Sequence, residues 1–400
     1  MIMKKTKILY IHHGAGWGGA PISLMSLINE LDKTKFEPHV LLLKDSIVKE
    51  RLRENNITYT VCDSNFYSKH YKYVTHSDAS LIKPYKVYKL LKMFISWVLS
   101  KYYFAPKALK KHTFDIVHLN SSVLSDWIHP ASKHGKVIYH IREPISKGIF
   151  GFRYNFIRSE VQKHADKVIA ISKDNATRIN IPQKTEVVYN FIDIPNKIIE
   201  TNSTKSILYV GGAAKIKGIE VLIDAIPLIN KDIQINMAGN FPKFQTMSSL
   251  KRLAYRLRYP SKFKLREKLI AISQYKNVNI VGSVSTITNI LQESSFLISP
   301  FTVPHFSRPV IEAFAYEKPV IASDVMGMEE IVDEGVNGLL VEKNNPKALA
   351  EAINYLCNQP KKVREMGLKG REKAEKFFSP EINTKKVEAI YEQLMNKKQK

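Results

Sequence analysis

The sequence contains few cysteines, few acidic residues relative to basic ones, and no long uninterrupted apolar run. Only two cysteines occur in 400 residues, Cys62 and Cys357, and they are far apart with no metal-type spacing. This pattern argues against a disulfide-stapled scaffold and a cysteine-based zinc site, and it favours a reducing compartment. The most apolar stretch, 90–104, contains two lysines. It is also shorter than the ~20 residues that a membrane-spanning helix needs.

The N-terminal segment lacks the apolar core of a secretion signal. Its lysines are followed by only ILYI (8–11) and then by two histidines, so a buried first strand is the better interpretation. We therefore expect a cytoplasmic protein, or one attached peripherally at the inner face of the cell membrane.

Acidic residues are scarce: 37 Asp and Glu stand against 61 Lys and Arg, which gives a net charge of +24. The excess is concentrated in 66–112, with ten lysines and one acid, and in 241–276, with ten Lys or Arg and one acid. Aromatic residues interleave with the first segment, a composition that suits an anionic membrane surface. A solvated lysine-rich surface is the simpler alternative. Nucleic acid is not expected as a partner, because neither segment belongs to a recognition motif.

Short β-branched strands alternate with helical patterns along the chain, which is typical of parallel α/β folds. One series runs over 7–191, and a second restarts at SILYVGG (206–212) and continues to residue 343. We predict two doubly wound, Rossmann-like domains at 1–192 and 193–379, with a helix at 380–400 crossing back to the first. Such folds bind ligands at the carboxyl ends of their strands, so a central cleft between the domains is expected.

Three loops that follow predicted strands carry residues suited to phosphates and sugar hydroxyls. GAGWGGAP (14–21) and VGGAAKIKG (210–218) are glycine-rich turns before helices, where backbone N–H groups favour anions. The third loop, PHFSRPVIEA (304–313), places polar residues before a helix and a carboxylate, Glu312, inside it. We interpret this carboxylate as an acceptor for sugar hydroxyls. The simpler alternatives are a tight turn for the first loop and solvated lysines for the second. For Glu312 the simpler alternative is an acid that complements the helix dipole.

The order of these pieces resembles glycosyltransferase family 4, the retaining, nucleotide-sugar-dependent class with the GT-B fold. The resemblance runs over nearly the whole chain and is most specific at 306–353. It implies a hexosyltransferase-type enzyme that moves a sugar from a UDP- or GDP-sugar to a hydroxyl of a glycan or polyprenyl-linked acceptor, in cell-envelope polysaccharide biosynthesis. No metal or other cofactor is expected, since no Asp-x-Asp pair stands in a suitable loop.

The resemblance also implies roles for individual residues. Glu312 would bind the donor ribose, Lys217 would bind the diphosphate, and His140 would contact the sugar; these three are the expected catalytic residues. The further donor-side candidates are Gly18, Gly19, Lys215, Gly282, Val284, Ser307 and Arg308. The acceptor-side candidates, at the ends of two predicted strands, are His118, Asn120 and Arg142.

Three positions depart from the family pattern. Pro304 stands where the family has the first Glu of its Glu–seven residues–Glu motif. Gly212 stands where the family has an arginine after a glycine, and Glu317 stands where it has a glycine before PVI. The first two lie in the donor site. They favour the alternative hypothesis, a catalytically weakened GT-B-fold subunit that binds a glycan or a polyanion. Lys215 could supply the charge of the missing arginine.

Overall fold

The computed structural model describes residues 4–14, 16–71, 87–145, 151–198, 205–242 and 248–396. The chain divides into two compact units. Unit 1 comprises Met1–Ile192 and Phe378–Lys400, and unit 2 comprises Asp193–Phe377. Each unit is built on a sheet of parallel strands joined by helices. The predicted α/β class with two Rossmann-like sheets is therefore confirmed.

The described part of unit 1 contains a seven-stranded sheet in the order β3-β2-β1-β4-β5-β6-β7. The strand order reverses between β1 and β4, because β1 pairs in parallel with both β2 and β4. The strands are β1 Thr6–His12, β2 Phe36–Leu42, β3 Tyr59–Val61, β4 Ile116–Leu119, β5 Lys136–Ile141, β6 Lys167–Ala170 and β7 Thr185–Val187. The helices are α1 Gly19–Glu30, α2 Ile47–Glu54, α3 Val87–Leu99, α4 Ala105–Leu109, α5 Ser125–Ala131, α6 Phe152–His164 and α7 Lys173–Ile179.

Side chains of β1 alternate between two apolar clusters, since successive residues of a strand point to opposite faces of a sheet. Leu9 and Ile11 are buried in one cluster, and Ile8 and Tyr10 in the other. Both faces of the strand are buried, which explains why its sequence is a continuous apolar run rather than an alternation of apolar and polar residues.

The C-terminal helix α15, Pro380–Asn396, belongs to unit 1. Val387, Ile390 and Leu394 recur at helical spacing and are buried in the same cluster as Ile8 and Tyr10. This helix therefore completes a core, which its charged composition did not indicate.

The described part of unit 2 contains a six-stranded sheet in the order β10-β9-β8-β11-β12-β13, and its order reverses between β8 and β11. The helix that begins at Ile219 ends at Ala225, because Pro227 lacks the N–H that would continue it. The strands are β8 Ser206–Val210, β9 Gln234–Ala238, β10 Val278–Gly282, β11 Phe296–Ser299, β12 Val320–Asp324 and β13 Gly338–Glu342. The helices are α8 Ile219–Ala225, α9 Ser249–Arg258, α10 Pro260–Ile272, α11 Thr288–Gln292, α12 Arg308–Ala315, α13 Pro346–Cys357 and α14 Pro360–Phe377.

The most apolar stretch of the sequence forms much of α3 and the π-helical turn Ser100–Phe104. Trp97 of α3 is buried, whereas Leu91, Phe94 and Ile95 are 47–59% exposed. Among the residues that the structure describes, no helix is both long and apolar enough to cross a membrane. Part of the first basic segment, 72–86, lies outside the described residues.

Candidate active site

The reversal of strand order in unit 2 places the loops after β8 and β11 side by side at the carboxyl ends of the strands. The loop after β8 contains the 3₁₀ turn Lys215–Lys217, and the loop after β11 leads into α12. The N–H of Thr302 donates a hydrogen bond to the carbonyl of Ile216 at 3.0 Å, which ties the two loops together. The structure thus brings together two of the three loops singled out in the sequence.

Two glycines allow the close approach of backbone segments at this edge of the sheet. Gly218 has φ +76°, and a Cβ there would lie 1.7 Å from the carbonyl oxygen of Pro300. Gly212 has φ +55°, and a Cβ there would lie 2.5 Å from the backbone of Asn240. Only glycine fits either position. The family's arginine therefore has no counterpart at Gly212 on this backbone.

Lys217 and Glu312 are close enough for each charge to affect the other's pKa. Burial lowers the pKa of Lys217, and the Glu312 carboxylate opposes that shift. Burial also raises the pKa of Glu312, which Arg308 and Lys217 oppose. Arg308 Nε donates to Glu312 Oε1 at 2.7 Å, one helical turn away. Lys215, in contrast, is exposed and pairs with Glu220 at 2.8 Å.

The start of α12 offers few backbone donors to an anion. Ser307 is the buried residue before the helix, and its Oγ lies 3.4 Å from Ser299 Oγ. Pro309 has no N–H, and the N–H of Val310 already donates to the Ser307 carbonyl at 3.2 Å. Neither Pro309 nor Val310 can therefore donate its amide to an anion, and the amide of Ser307 is the candidate donor in this turn.

Gly282 and Val284 follow β10, which lies two strands away from β8 in the sheet. Gly282 has φ +82°, and no atom lies within 4 Å of the Cβ position. Glycine at this position therefore suits the left-handed backbone conformation and is not needed for the close approach of another segment. Val284 is 37% exposed. The structure does not bring either residue into contact with Lys217 or Glu312.

Gly18 and Gly19 occupy the turn between β1 and α1, and glycine permits left-handed backbone at such positions. Gly18 is extended, with φ −148° and ψ −166°, and a Cβ there would meet open space. Gly19 is the first residue of α1. The left-handed conformation that glycine permits is therefore used at neither position.

The carboxyl ends of β4 and β5 in unit 1 carry a buried chain of hydrogen bonds. Tyr10 Oη lies 2.8 Å from Tyr391 Oη, which lies 2.8 Å from His118 Nδ1. His118 Nε2 in turn lies 2.9 Å from His140 Nδ1. His140 Nε2 is buried and has no hydrogen-bond partner in the described part of the chain. The four side chains form one relay that ends on this atom.

Both histidines of the relay are neutral. Burial, with a smaller effect from Arg142, lowers the pKa of His118 to about 3 and lowers that of His140 well below its ordinary range. Burial also raises the pKa of Tyr10 and Tyr391 far above the usual phenol value, so both keep their protons. Sequence reasoning missed both tyrosines. The signal for Tyr391 is a tyrosine on the apolar stripe of α15.

The remaining acceptor-side candidates are joined in the same unit. Arg142 Nε donates to Asn120 Oδ1 at 2.8 Å, and Arg142 Nη1 donates to Asn190 Oδ1 at 2.8 Å. Asn120 Nδ2 lies 3.3 Å from His12 Nδ1 at the end of β1. Burial lowers the pKa of His12 to about 3, so this ring is neutral as well. His12 and Asn190 are further members of the site that sequence reasoning did not select.

Within the described ranges, no three His, Cys, Asp or Glu side chains are grouped so that they could hold a metal ion. The segments after β8 and β11 contribute a lysine, an arginine and a carboxylate: Lys217, Arg308 and Glu312. These groups suit hydrogen bonding to phosphate and hydroxyl oxygens.

Family models match both halves of the chain. The model for Glycosyltransferase Family 4 matches residues 17–195, and the model for Glycosyl transferases group 1 matches residues 191–373. The two matches adjoin where unit 1 gives way to unit 2. The chain belongs to the family 4, group 1 glycosyltransferases.

Individual proteins similar to this transferase span most of its length. An uncharacterized glycosyltransferase of Methanocaldococcus jannaschii is 28% identical over 316 residues, which is 75% of this chain and 81% of that protein. The capsular polysaccharide biosynthesis glycosyltransferase CapM of Staphylococcus aureus is 26% identical over 243 residues, 58% of this chain and 60% of CapM.

A solved structure also matches both units of the transferase. HepE of Anabaena, in complex with UDP and glucose, covers 97% of this chain and 100% of its own, with a TM-score of 0.72 and 18% identity. The likeness confirms the predicted GT-B fold.

Proposed function

We propose that this transferase moves a hexose from a nucleotide diphosphate donor to a hydroxyl of a glycan or lipid-linked acceptor, with retention of the anomeric configuration. The observation that carries the proposal is that Lys217 and Glu312 belong to the two segments that follow β8 and β11, which meet at the reversal point of the unit 2 sheet. One group suits a diphosphate and the other suits ribose hydroxyls. The bound UDP and glucose of HepE and the name of CapM support a UDP-sugar donor and a polysaccharide product.

Departure of the nucleotide diphosphate concentrates negative charge on its oxygens in the transition state. A cation held beside those oxygens, in a site that excludes water, stabilises this charge without reorganisation. We assign that role to Lys217, assisted by the amide of Ser307, with no resident metal. Glu312, held by Arg308, would fix the ribose and thereby the position of the bond that breaks.

The relay in unit 1 favours one tautomer of His140. If Tyr10 donates to Tyr391 and Tyr391 donates to His118 Nδ1, then His118 Nε2–H donates to His140 Nδ1. His140 Nε2 then carries a proton and can donate to a sugar oxygen. The reverse direction would leave the buried Tyr10 hydroxyl without an acceptor in the described structure, at a cost of about 1–3 kcal/mol. We therefore assign His140 as a neutral donor to the sugar, with Tyr391 as its positioning residue.

Replacing Tyr391 by Phe is expected to lower kcat/KM for transfer by about tenfold, because the loss of one neutral hydrogen bond is of order 1 kcal/mol. UDP affinity should not change, since nucleotide contacts are assigned to unit 2. Nitrogen NMR of the imidazole rings should also show that His140 loses its preference for a protonated Nε2.

Tyr10→Phe is the matched control for this substitution. It removes a buried hydroxyl from the far end of the relay but keeps the donor to His118, so kcat/KM should stay within a few-fold of wild type. A Tyr391→Phe enzyme that keeps wild-type activity and the wild-type His140 tautomer would contradict the assigned role.

The acceptor is proposed to be presented at a membrane surface. Lys92 and the exposed Leu91, Phe94 and Ile95 of α3 combine positive charge with apolar side chains in the first basic segment. That combination supports a polyprenyl-linked acceptor and peripheral attachment at the inner face of the cell membrane.

A panel of donors tests the proposed activity. One of UDP-glucose, UDP-galactose, UDP-N-acetylglucosamine and GDP-mannose should raise the melting temperature of the protein, since a ligand at 100 times its Kd stabilises the native state by about 2.7 kcal/mol. The same donor should be hydrolysed slowly, and NMR should show the released sugar with its original anomeric configuration at early times. Stabilisation without any turnover would instead support the binding-subunit hypothesis, and no stabilisation by any donor would contradict the proposed donor class.

A further inference from the structure

Helix α9, Ser249–Arg258, contains no buried residue. Leu250, Leu253 and Leu257 are 82%, 55% and 75% exposed. At 3.6 residues per turn, these three side chains lie within about 60° of one another around the helix axis. They form a leucine stripe of the kind that a helix normally buries.

Basic residues flank the leucine stripe on both sides. On the helical projection, Lys251 and Arg258 lie beyond one edge, and Arg252 and Arg256 lie beyond the other. No acidic residue occurs in α9. The helix therefore presents apolar side chains between two rows of positive charge.

The contacts that attach α9 to unit 2 are on the side opposite the leucine stripe. Arg252 forms an ion pair with Glu267 of α10 and lies 5.7 Å from the ring of Phe263. Helix α10 is itself anchored, because Leu265 and Leu269 are buried in the core of unit 2. Removing the leucines should therefore leave the attachment of α9 intact.

We propose that α9 is an interfacial helix that inserts its leucine stripe into an anionic membrane surface. Such a surface supplies both an apolar medium for the leucines and negative charge for the flanking Lys and Arg. A second copy of the chain would bring two rows of positive charge together. Nucleic acid would neutralise the charge but leave the leucines in water. The inference is independent of the sugar-transfer site and adds a contact on unit 2 to the one proposed for α3.

Flotation of the full-length protein with vesicles tests this contact. The protein should float with phosphatidylcholine vesicles that contain phosphatidylglycerol, and much less with pure phosphatidylcholine. The triple variant Leu250→Gln, Leu253→Gln, Leu257→Gln should bind at least about tenfold more weakly, since moving each leucine side chain from water into an apolar medium is favourable. Replacing Lys251, Arg256 and Arg258 by Gln should also weaken binding by roughly tenfold or more, because each basic residue is attracted to the anionic surface.

A matched control replaces three apolar side chains elsewhere on unit 2, Leu228, Val336 and Leu368, by Gln. These are 44–52% exposed but do not belong to α9, so vesicle binding should not change. Circular dichroism should show that every variant is folded. Transfer to a water-soluble acceptor should also be unchanged, which separates a failure of this proposal from a failure of the proposed activity.

Three results would overturn the assignment. The wild-type protein could fail to float with anionic vesicles, or the leucine variant could float as well as wild type, which would place any membrane contact elsewhere. Sedimentation could also show that the leucines hold a dimer together while lipid binding is unaffected.

Discussion

Replacing Lys217 by Met is expected to lower kcat for sugar transfer by about 10²–10³-fold, the usual effect of removing one preorganised donor from a developing negative charge. Lys217 is partly buried, and its charge interacts with Glu312. An ammonium in such surroundings acts through a lower effective dielectric constant than an exposed one does. Methionine keeps the length of the side chain, so the 3₁₀ turn Lys215–Lys217 should keep its shape.

Lys215→Met is the matched control, since both lysines belong to the same turn. Lys215 is exposed and already paired with Glu220, so its loss should lower kcat by tenfold or less. Calorimetry with two ligands locates the effect: Lys217→Met should weaken UDP binding but leave uridine binding unchanged. Equal transfer rates for the two variants, or equal losses of uridine and UDP affinity, would contradict the assignment of Lys217 to the diphosphate.

The neighbouring positions of Lys217 and Glu312 could be predicted from the sequence because both follow buried parallel strands. Such strands are continuous apolar runs, as at SILYV (206–210) and FLIS (296–299), and their boundaries are visible without an alignment. Doubly wound sheets then place the loops of the two strands at the reversal point together.

Contacts between residues far apart in the sequence could not be predicted. Tyr391 and His118 are separated by 273 residues, and their hydrogen bond depends on where α15 packs. A sequence pattern shows that α15 has an apolar stripe but not which cluster receives it. The direction of the relay, and hence the tautomer of His140, is set by that packing.

The close approach of two backbone segments likewise cannot be predicted from a sequence. The family's glycine before PVI is replaced by Glu317, which nonetheless has φ +54°. A Cβ at Gly367 would lie 2.0 Å from the Glu317 carbonyl oxygen, so α14 packs directly on this turn. The left-handed backbone angle is kept without glycine, at a cost of about 1–2 kcal/mol. The departures at Gly212 and Glu317 therefore have opposite physical meanings: the first excludes a side chain, and the second tolerates one.

The exposure of the leucine stripe of α9 could not be predicted from the sequence either. The second basic segment, 241–276, is evident from charge alone. Leucines at the spacing of 250, 253 and 257 are normally interpreted as a buried face, since most amphipathic helices pack against a core. Only the structure shows that α10, and not α9, provides the buried leucines of this segment.

Replacing Glu312 by Ala is expected to weaken nucleotide binding by at least about 10²-fold. A hydrogen bond to an ionised carboxylate contributes about 1.5–3 kcal/mol, and the 2′- and 3′-hydroxyls of a ribose can each donate one. The loss should be equal for uridine and UDP, if UDP is the preferred nucleotide, since the ribose is common to both. This distinguishes the Glu312 variant from Lys217→Met, which should affect UDP alone.

The sharpest test compares UDP with 2′-deoxy-UDP by calorimetry. The wild-type protein should prefer UDP by roughly tenfold or more, and Glu312→Ala should bind both nucleotides with equal, weak affinity. Glu220→Ala, which removes a carboxylate from the neighbouring helix α8 and leaves Lys215 unpaired, should keep the preference. A Glu312→Ala protein that still prefers UDP to 2′-deoxy-UDP would show that another group binds the 2′-hydroxyl of the ribose.

The pH dependence of this preference follows from the pKa of Glu312. Burial raises that pKa, and a carboxyl group with a raised pKa is protonated at a higher pH than an ordinary glutamic acid. A protonated carboxyl accepts hydrogen bonds more weakly, so the preference for UDP over 2′-deoxy-UDP should decline on acidification before an exposed glutamate would titrate. Glu312→Gln, which cannot ionise, should show a flat profile over the same range. Because Arg308 holds Glu312 Oε1 at 2.7 Å, Arg308→Gln should raise the pH at which the preference declines. That shift would identify the ion pair with Arg308 as what keeps the ribose acceptor charged against the effect of burial.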